Sequence, residues 1–434
     1  MSSVVRLINK SGAFAGMGYL APENRIITCA HMVAQALGIP KDTLEKPDDE
    51  VTVDFPFVER GRNRTARVVL WRTVYQDSSL PLGGMEDIAV LEILDDPQAS
   101  AVVANMLDDP DYSEMIDAIC AGELIPFLGA GVNLCDRLEG ESWNAASQYL
   151  PSGEELSMSL AAEFGYHWPD SGDLLRVSQY VALMHTLDTL NTKLRTIFNR
   201  DYPPPTLHEF FAKLPHILRG KGFPANLLIV TTNYDDLLER AFRQWNQPYD
   251  LVTYWIGDQN DRRGKFLHWI TEGRPKEIED PSTYDGIKLD DQRNLVNPVI
   301  LKVHGAVDRA ARRNMMPRDS YVITEDHYLE YLTRSDIASL VPATLKEKFS
   351  GSSFLFLGYS LRDWNLRVFL NRIQMQQRQN YGFYKSWAIQ KRPGELEQRF
   401  WRARNVEIFD ASLRDYITEL EQRVKDTPDA GGPR

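Results

Sequence analysis

A chain of 434 residues, 43% hydrophobic and 25% charged, is an ordinary globular composition with room for two or three domains. Its formal charge of −12 argues against a nonspecific hold on nucleic acid or anionic lipid, which needs clustered Lys and Arg, and no apolar run reaches membrane-spanning length. Three cysteines, Cys29, Cys120 and Cys135, cannot make a four-thiolate zinc site and lack the usual ligand spacing, so reduced thiols and no bound metal are expected.

The opening "MSSVVRLINKSG" lacks the long apolar stretch of a secretory signal, so the expected location is the cytoplasm. Residues 1–97 read as short strands: "AFAGMGYL" and "NRIITCAH" form a pair around Pro22-Glu23-Asn24, and "EDIAVLEIL" alternates as a strand does. This predicts a small β-barrel-like N-terminal domain. Two Asp-Asp-Pro breaks in "DDPQASAVVANMLDDPDYSE" mark a linker over residues 98–112.

From residue 113 to about 425 the texture changes to strands alternating with helices. Strands are predicted at "ELIPFLG", "LLIVTTN", "VILKVHG", "SFLFLGY", "KSWAIQ" and "NVEIFD", with Pro126 pushing the start of the first one later. Helical spacing in "YDDLLERAFRQW" places Tyr234, Leu237, Leu238, Ala241, Phe242 and Trp245 on one face, and "LRVFLNRI" and "SLRDYITELEQRV" read the same way. Continuous apolar strands separated by helices predict an α/β fold, a doubly wound Rossmann-like parallel sheet. Residues 136–222 show no comparable strand. "GEELSMSLAAEF", "DLLRVSQYVALMHTLDTLNTKLRTIF" and "LHEFFAKLPHIL" predict a large helical insert instead. The tail 426–434 is expected to be frayed.

In such a sheet, ligands bind beyond the carboxyl ends of the strands. Four strand ends carry polar or glycine-rich turns. Gly129-Ala130-Gly131-Val132-Asn133 could bring backbone amides to a phosphate. Thr232, Asn233 and Asp235 crowd the turn after "LLIV"; Asn233 can orient a carboxamide, ribose hydroxyl or water, while Asp235 could simply cap the next helix. His304 ends an apolar strand and could take a proton, although a lone strand histidine is more often a hydrogen-bonded core residue. Gly358, Ser360 and Asp363 follow "FLFL", where an ordinary N-cap would also explain the last two. Singly each has an ordinary reading; four in chain order on one sheet favour a site.

These elements, Gly129-Ala130-Gly131, Thr232-Asn233-Tyr234-Asp235, Lys302-Val303-His304-Gly305 and Gly358-Tyr359-Ser360-Leu361, resemble those of the sirtuin family, over roughly residues 114–423. Deacylases of that family carry a four-cysteine zinc module after the catalytic histidine, and here no cysteine follows Cys135. With the helical insert, this departure resembles the bacterial sirtuin-like effectors that hydrolyse NAD in antiviral defence by abortive infection. The resemblance implies NAD as substrate with no further cofactor, Asn233 and His304 as the catalytic pair, and Gly129, Ala130, Gly131, Asn133, Thr232, Asp235, Gly358, Ser360 and Asp363 as NAD-binding residues. It also implies a homo-oligomer or a complex with a defence-system partner, while charge and hydropathy lead to the expectation of no membrane and no direct nucleic-acid contact. Alternatives are a non-catalytic NAD or ADP-ribose sensor or scaffold and a protease completed by another chain.

The protease alternative rests on the first segment. "GMGYLAPENRIITCAH" and "EDIAVLEI" resemble the first half of a trypsin-like protease, with His31 and Asp87 in the places of its histidine and aspartate. No Gly-x-Ser-Gly-Gly follows anywhere, and Ser171 in "PDSGD" has the wrong neighbours for a nucleophile. A non-proteolytic half-barrel is expected, one that needs a packing partner because so short a segment builds little core.

Overall fold

A computed structural model of the chain describes residues 4–21, 25–54, 63–76, 85–94, 112–256, 265–270, 275–291, 294–308, 318–333, 341–359 and 384–431. Two units emerge, Met1–Pro110 and Asp111–Arg434.

In the first unit, β1 (Val4–Ile8), β2 (Phe14–Ala21), β3 (Arg25–Thr28), β4 (Glu50–Asp54), β5 (Asn63–Gln76) and β6 (Met85–Ile93) form an antiparallel barrel in the order β1-β2-β3-β6-β5-β4. It closes because β1 pairs with both β2 and β4, which removes the free edges. Period-two alternation sends Val5, Leu7, Ile26, Val51, Val53 and Leu91 inward. Helix α1 (Ala30–Leu37) adds Val33, Ala34 and Leu37 to that core. A Cβ at Gly16 would lie 2.6 Å from Cβ of Met32, so β2 needs a glycine there for α1 to pack. The segment expected to be a half-barrel in need of a packing partner is thus a closed barrel with its own core.

The second unit is built on nine strands: β7 (Leu124–Leu128), β8 (Leu228–Thr231), β9 (Asp250–Trp255), β10 (Lys265–Ile270), β11 (Lys276–Ile278), β12 (Val299–Lys302), β13 (Ser353–Leu357), β14 (Ser386–Ile389) and β15 (Val406–Phe409). Their order is β11-β10-β9-β12-β8-β7-β13-β14-β15. The expectation of a wholly parallel sheet needs correction: β10 runs antiparallel to β9 and β11, so the sheet is mixed at one edge. Pro126 lies inside β7 and does not delay it; β8 pairs only from Phe127 onward, so the missing donor falls at the margin of that ladder.

Both faces of the sheet are covered. In β8, Leu228 and Val230 point into one core while Ile229 points into the other. The helices α2 (Tyr112–Ala121), α6 (Thr206–Gly220), α7 (Leu237–Gln244) and α11 (Leu413–Asp426) supply one layer, through Met115, Phe210, Phe211, Phe242 and Leu420. The opposite layer takes Tyr331 from α8 (Glu325–Thr333), Leu345 and Phe349 from α9 (Ala343–Ser350) and Trp401 from α10 (Glu395–Arg402). Trp245, expected on the buried face of α7, follows the last helical turn and is 50% exposed.

Helices α3 (Gly153–Phe164), α4 (Leu174–Met184) and α5 (Leu187–Phe198) form a separate core around Leu160, Val177, Val181, Leu190 and Leu194. A capping box between Ser152 and Glu155 starts α3. The single long helical pattern expected over 173–198 is broken between α4 and α5 at Thr186, whose φ is 100°. Because α6 packs with the sheet, the helices with a core of their own end at Phe198, not near residue 222. Nor is the tail wholly frayed: Lys221 Nζ donates to the Thr427 carbonyl at 2.5 Å, and Ala430 N–H donates to the Lys221 carbonyl. The predicted helix "LRVFLNRI" lies outside the described residues.

Candidate active site

Strand β7 is the point from which the sheet grows both ways, with β8, β12 and β9 on one side and β13, β14 and β15 on the other. A crevice at such a switch point, beyond the carboxyl ends, is where this architecture places ligands. Parallel register then decides which residues meet. Thr231 pairs with Lys302, and Val303 N–H continues the ladder to the Thr231 carbonyl. Asn233 and His304 each stand two residues past this last pair, in the turns that leave the two strands. On the other side of β8, Leu128 pairs with Thr231 and Leu357 pairs with Leu128, so Gly129 and Gly358 complete the row.

Asn233 is buried. Its N–H is held by Thr231 Oγ1 at 3.0 Å, and its side-chain nitrogen donates to the Gly129 carbonyl at 3.2 Å. His304 is also buried, with its ring edge-on to Tyr328 and Tyr331 at 5.3 and 5.4 Å. Its Nδ1 lies 3.5 Å from the Tyr328 hydroxyl. Burial alone pushes the imidazole down to about 3, so it is neutral at any physiological pH. Gly305 follows with φ of 89°, and a Cβ there would lie 2.2 Å from the Ser320 carbonyl oxygen. Only glycine permits that turn.

Asp235 spends both carboxylate oxygens within the chain. Oδ1 accepts from Leu237 N–H at 3.0 Å, one residue ahead of the α7 N-cap Asp236, and Oδ2 accepts from Asn133 Nδ2 at 2.8 Å. Asn133 Oδ1 is buried with no hydrogen-bond partner among the described residues. A buried acceptor left empty is a place for a donor from a ligand or water.

The glycines act differently from expectation. Gly129 N–H donates to the Leu357 carbonyl and Gly131 N–H to the Gly358 carbonyl, each at 2.9 Å. A Cβ at Gly131 would lie 2.8 Å from Gly358 O, and one at Gly358, 2.3 Å from Val132 N. These amides are therefore spent on welding the β7 and β13 turns together. Ala130, between them, is the exposed residue at the rim. Thr232 Oγ1 lies 2.8 Å from the Tyr359 hydroxyl, which in turn donates to the Leu128 carbonyl. Ser360 and Asp363 lie outside the described residues.

Sequence reasoning passed over Lys302. Its Nζ sits 2.7 Å from Glu239 Oε1 and also donates to the Asp235 carbonyl, with both side chains buried. Burial raises the Glu239 carboxyl against the pull of Lys302. This pair ties the start of α7 and the 232–236 turn to the strand that carries His304. The signal was available: one lysine stands in the apolar run "VILKVH".

Residues 227–409, which hold Asn233, Asp235, His304 and Gly358, match the family described as SIR2-like domain. The chain carries a SIR2-like domain. It is 24% identical to Defense-associated sirtuin 2 of Bacillus subtilis over 302 residues, 69% of this chain and 24% of that protein. It is 25% identical to NAD(+) hydrolase ThsA of Bacillus cereus over 295 residues, 63% of this chain and 50% of that one. A ThsA of Enterococcus faecium shares 26% over 266 residues, 61% and 42% of the two chains. The chain thus spans half or less of the length of these relatives. Asn233, His304 and Gly358 lie within the matched residues and Gly129 outside them, each just beyond a strand of the sheet.

In the barrel, β3 pairs with β6 so that Thr28 faces Ala89, which brings Asp87 opposite the Cys29–His31 step. Asp87 Oδ1 accepts from His31 N–H at 3.0 Å and Oδ2 lies 2.5 Å from His31 Nδ1. Burial pushes the Asp87 carboxyl up, but the bonds from His31 and Cys29 outweigh it and hold it below the usual range. Burial and Asp87 together raise the Cys29 thiol.

Proposed function

We propose that the SIR2-like domain hydrolyses NAD at the glycosidic bond, releasing nicotinamide, ADP-ribose and a proton, as an effector of antiviral defence. The observation that carries this reading is the pairing of β8 with β12, whose neighbouring ends Thr231 and Lys302 are each followed two residues later by a buried polar residue, Asn233 and the neutral His304. The names of the relatives, a defence-associated sirtuin and NAD(+) hydrolases, point the same way.

The chemistry asks little of the protein. The nicotinamide ring is a positively charged leaving group, so the bond breaks through an oxocarbenium-like state without a strong acid. The remaining needs are a fixed ribose, an aimed water and a base. Asn233, with its side-chain nitrogen held by Gly129, keeps its carbonyl oxygen for a ribose hydroxyl or water. His304, uncharged because it is buried, accepts the proton. Asn133 Oδ1 offers an acceptor to the bound molecule beside Asp235. Ala130, Gly129, Gly131 and Gly358 shape the floor for phosphate and ribose, with Thr232 beside them, and the family resemblance adds Ser360 and Asp363 to the NAD-binding set. The working form is cytoplasmic, and an oligomer or a partner protein keeps it quiet until infection.

The decisive experiment follows nicotinamide release from NAD by chromatography for the parent, His304→Ala and Asn233→Ala, with folding checked by circular dichroism. Release by the parent and its loss in both folded variants is expected. Retained NAD binding without turnover, even beside an infected-cell extract, would replace the hydrolase with a sensor.

A further inference from the structure

The barrel carries a convergence of donors that NAD chemistry does not use. Cys29 is the N-cap of α1, His31 stands in its first turn, and Asp87 comes from the neighbouring strand β6. One sulfur, one imidazole nitrogen and one carboxylate oxygen from these residues all lie within 4.8 Å of one another. Ala30, between the two α1 donors, is fully buried in the barrel core, which anchors that step of the backbone. Thr28, just before, is pinned by its hydroxyl to the Met17 carbonyl at 2.8 Å. The backbone of the site is therefore fixed, while the side chains of His31 and Asp87 remain 42% and 28% exposed. An ion has a way in, and a water has room to complete its shell.

We propose that Cys29, His31 and Asp87 form a binding site for a borderline-soft divalent first-row ion, zinc being the natural occupant. A thiolate, an imidazole and a carboxylate with one position left to water is a donor set that suits zinc and does not suit calcium or magnesium. A base pair of the protease kind needs only the imidazole and the carboxylate; the third donor, Cys29, on the same carboxylate is what the metal reading explains. Bonds of about 2.0–2.3 Å place neighbouring ligand atoms roughly 3.3–3.6 Å apart in a tetrahedron. The ion would accordingly replace the hydrogen between His31 Nδ1 and Asp87 Oδ2, which passes to His31 Nε2 as the ring changes tautomer, and widen that 2.5 Å contact, a side-chain adjustment only. The thiol gives its proton to solvent as the sulfur is ligated. The spacing Cys-x-His matches no familiar two-ligand motif, so the site is visible only once β6 is placed beside β3.

The test uses the full chain, stripped with a chelator and titrated with cobalt(II) as the spectroscopic stand-in for zinc. One equivalent should give a thiolate-to-cobalt charge-transfer band in the near ultraviolet and visible bands of tetrahedral intensity, and zinc should bleach both. Cys29→Ser should abolish the charge-transfer band. His31→Ala and Asp87→Asn should weaken cobalt affinity at least about tenfold, whereas Cys135→Ser should change nothing. Far-ultraviolet circular dichroism of each variant confirms that the barrel is intact, and Cys29→Ser, with one atom exchanged, guards against a folding failure. No charge-transfer band in the parent, or a band that survives Cys29→Ser, would overturn the proposal. Nicotinamide release is not a readout here, so the result stands whatever the SIR2-like domain does.

Discussion

The molecule contains two histidines at strand ends that face opposite problems. His31 in the barrel is partly exposed and held by a carboxylate through both its backbone and its ring. His304 in the SIR2-like domain is buried between two tyrosine rings, and burial alone sets its proton affinity. A charged neighbour orients the first ring. The second is kept neutral by desolvation, which leaves a nitrogen lone pair free while lowering the ring's hold on a proton. Residue type therefore decides less than whether solvent or a carboxylate reaches the ring.

The sharpest break between the two sites is in activity. His304→Ala and Asn233→Ala should each lower NAD turnover by about 10²–10⁴-fold, the range a positioned base or orienting group supplies. His31→Ala should leave it within about twofold. Equal losses in a nicotinamide-release assay would mean that the two sites are parts of one machine. Next in size is Lys302→Met. Removing one partner of a buried pair strands Glu239 in the core, at a cost of roughly 3–5 kcal/mol, read as a lower denaturant midpoint. Replacing both, with Glu239→Leu added, should recover much of the stability. Activity should stay low, because the Asp235 carbonyl has still lost its donor.

Acid sharpens the comparison further. His304 and His208 are both buried and held down, to about 3 and about 4, while an unfolded imidazole titrates near 6.5. Below 6.5 the unfolded chain takes up protons that the folded chain refuses, so the stability from these two groups is complete above 6.5 and is lost as pH falls toward 4. At pH 5 each accounts for about 2 kcal/mol. Guanidinium unfolding of the parent and His208→Gln at pH 7.5 and 5 should show a smaller pH difference in the variant. An unchanged difference would mean that His208 is hydrated or charged in the fold.

Most of the candidate site is legible because each strand end is an apolar run broken by a glycine or a polar turn, and parallel topology then aligns those breaks in one row. What escapes is what breaks the pattern while staying buried. In β9 and β10 the runs are interrupted by Thr253 and His268, which are buried, with His268 Nδ1 2.6 Å from the Tyr284 hydroxyl. An antiparallel edge so interrupted does not read as core. The division of α4 from α5 carries neither glycine nor proline; Thr186 simply takes a positive φ. The occupation of the Gly129 and Gly131 amides is invisible too, since it depends on how closely the β13 turn approaches. Spacing reveals a phosphate-type loop but not which of its N–H groups remain available.

The smallest effect tests how that loop is held. Tyr359 joins three strand ends through one hydroxyl, which meets Thr232 Oγ1 at 2.8 Å and donates to the Leu128 carbonyl at 3.1 Å. Its ring lies 5.4 Å from Phe127 and would stay in place in Tyr359→Phe. Only hydrogen bonding is then lost, a change of about 1 kcal/mol in stability. If the weld between the β7 and β13 turns shapes the floor for NAD, that variant should raise KM a few-fold and leave kcat nearly unchanged, because His304 and its tyrosine neighbours are untouched. A fall in kcat with KM constant would instead place Tyr359 at the reacting end of the crevice. On the barrel wall, the exposed Arg67–Glu92 pair can be cut by Arg67→Ala for at most about 0.5 kcal/mol. One hydroxyl at a strand end of the SIR2-like domain should thus matter more than an ion pair on the barrel wall.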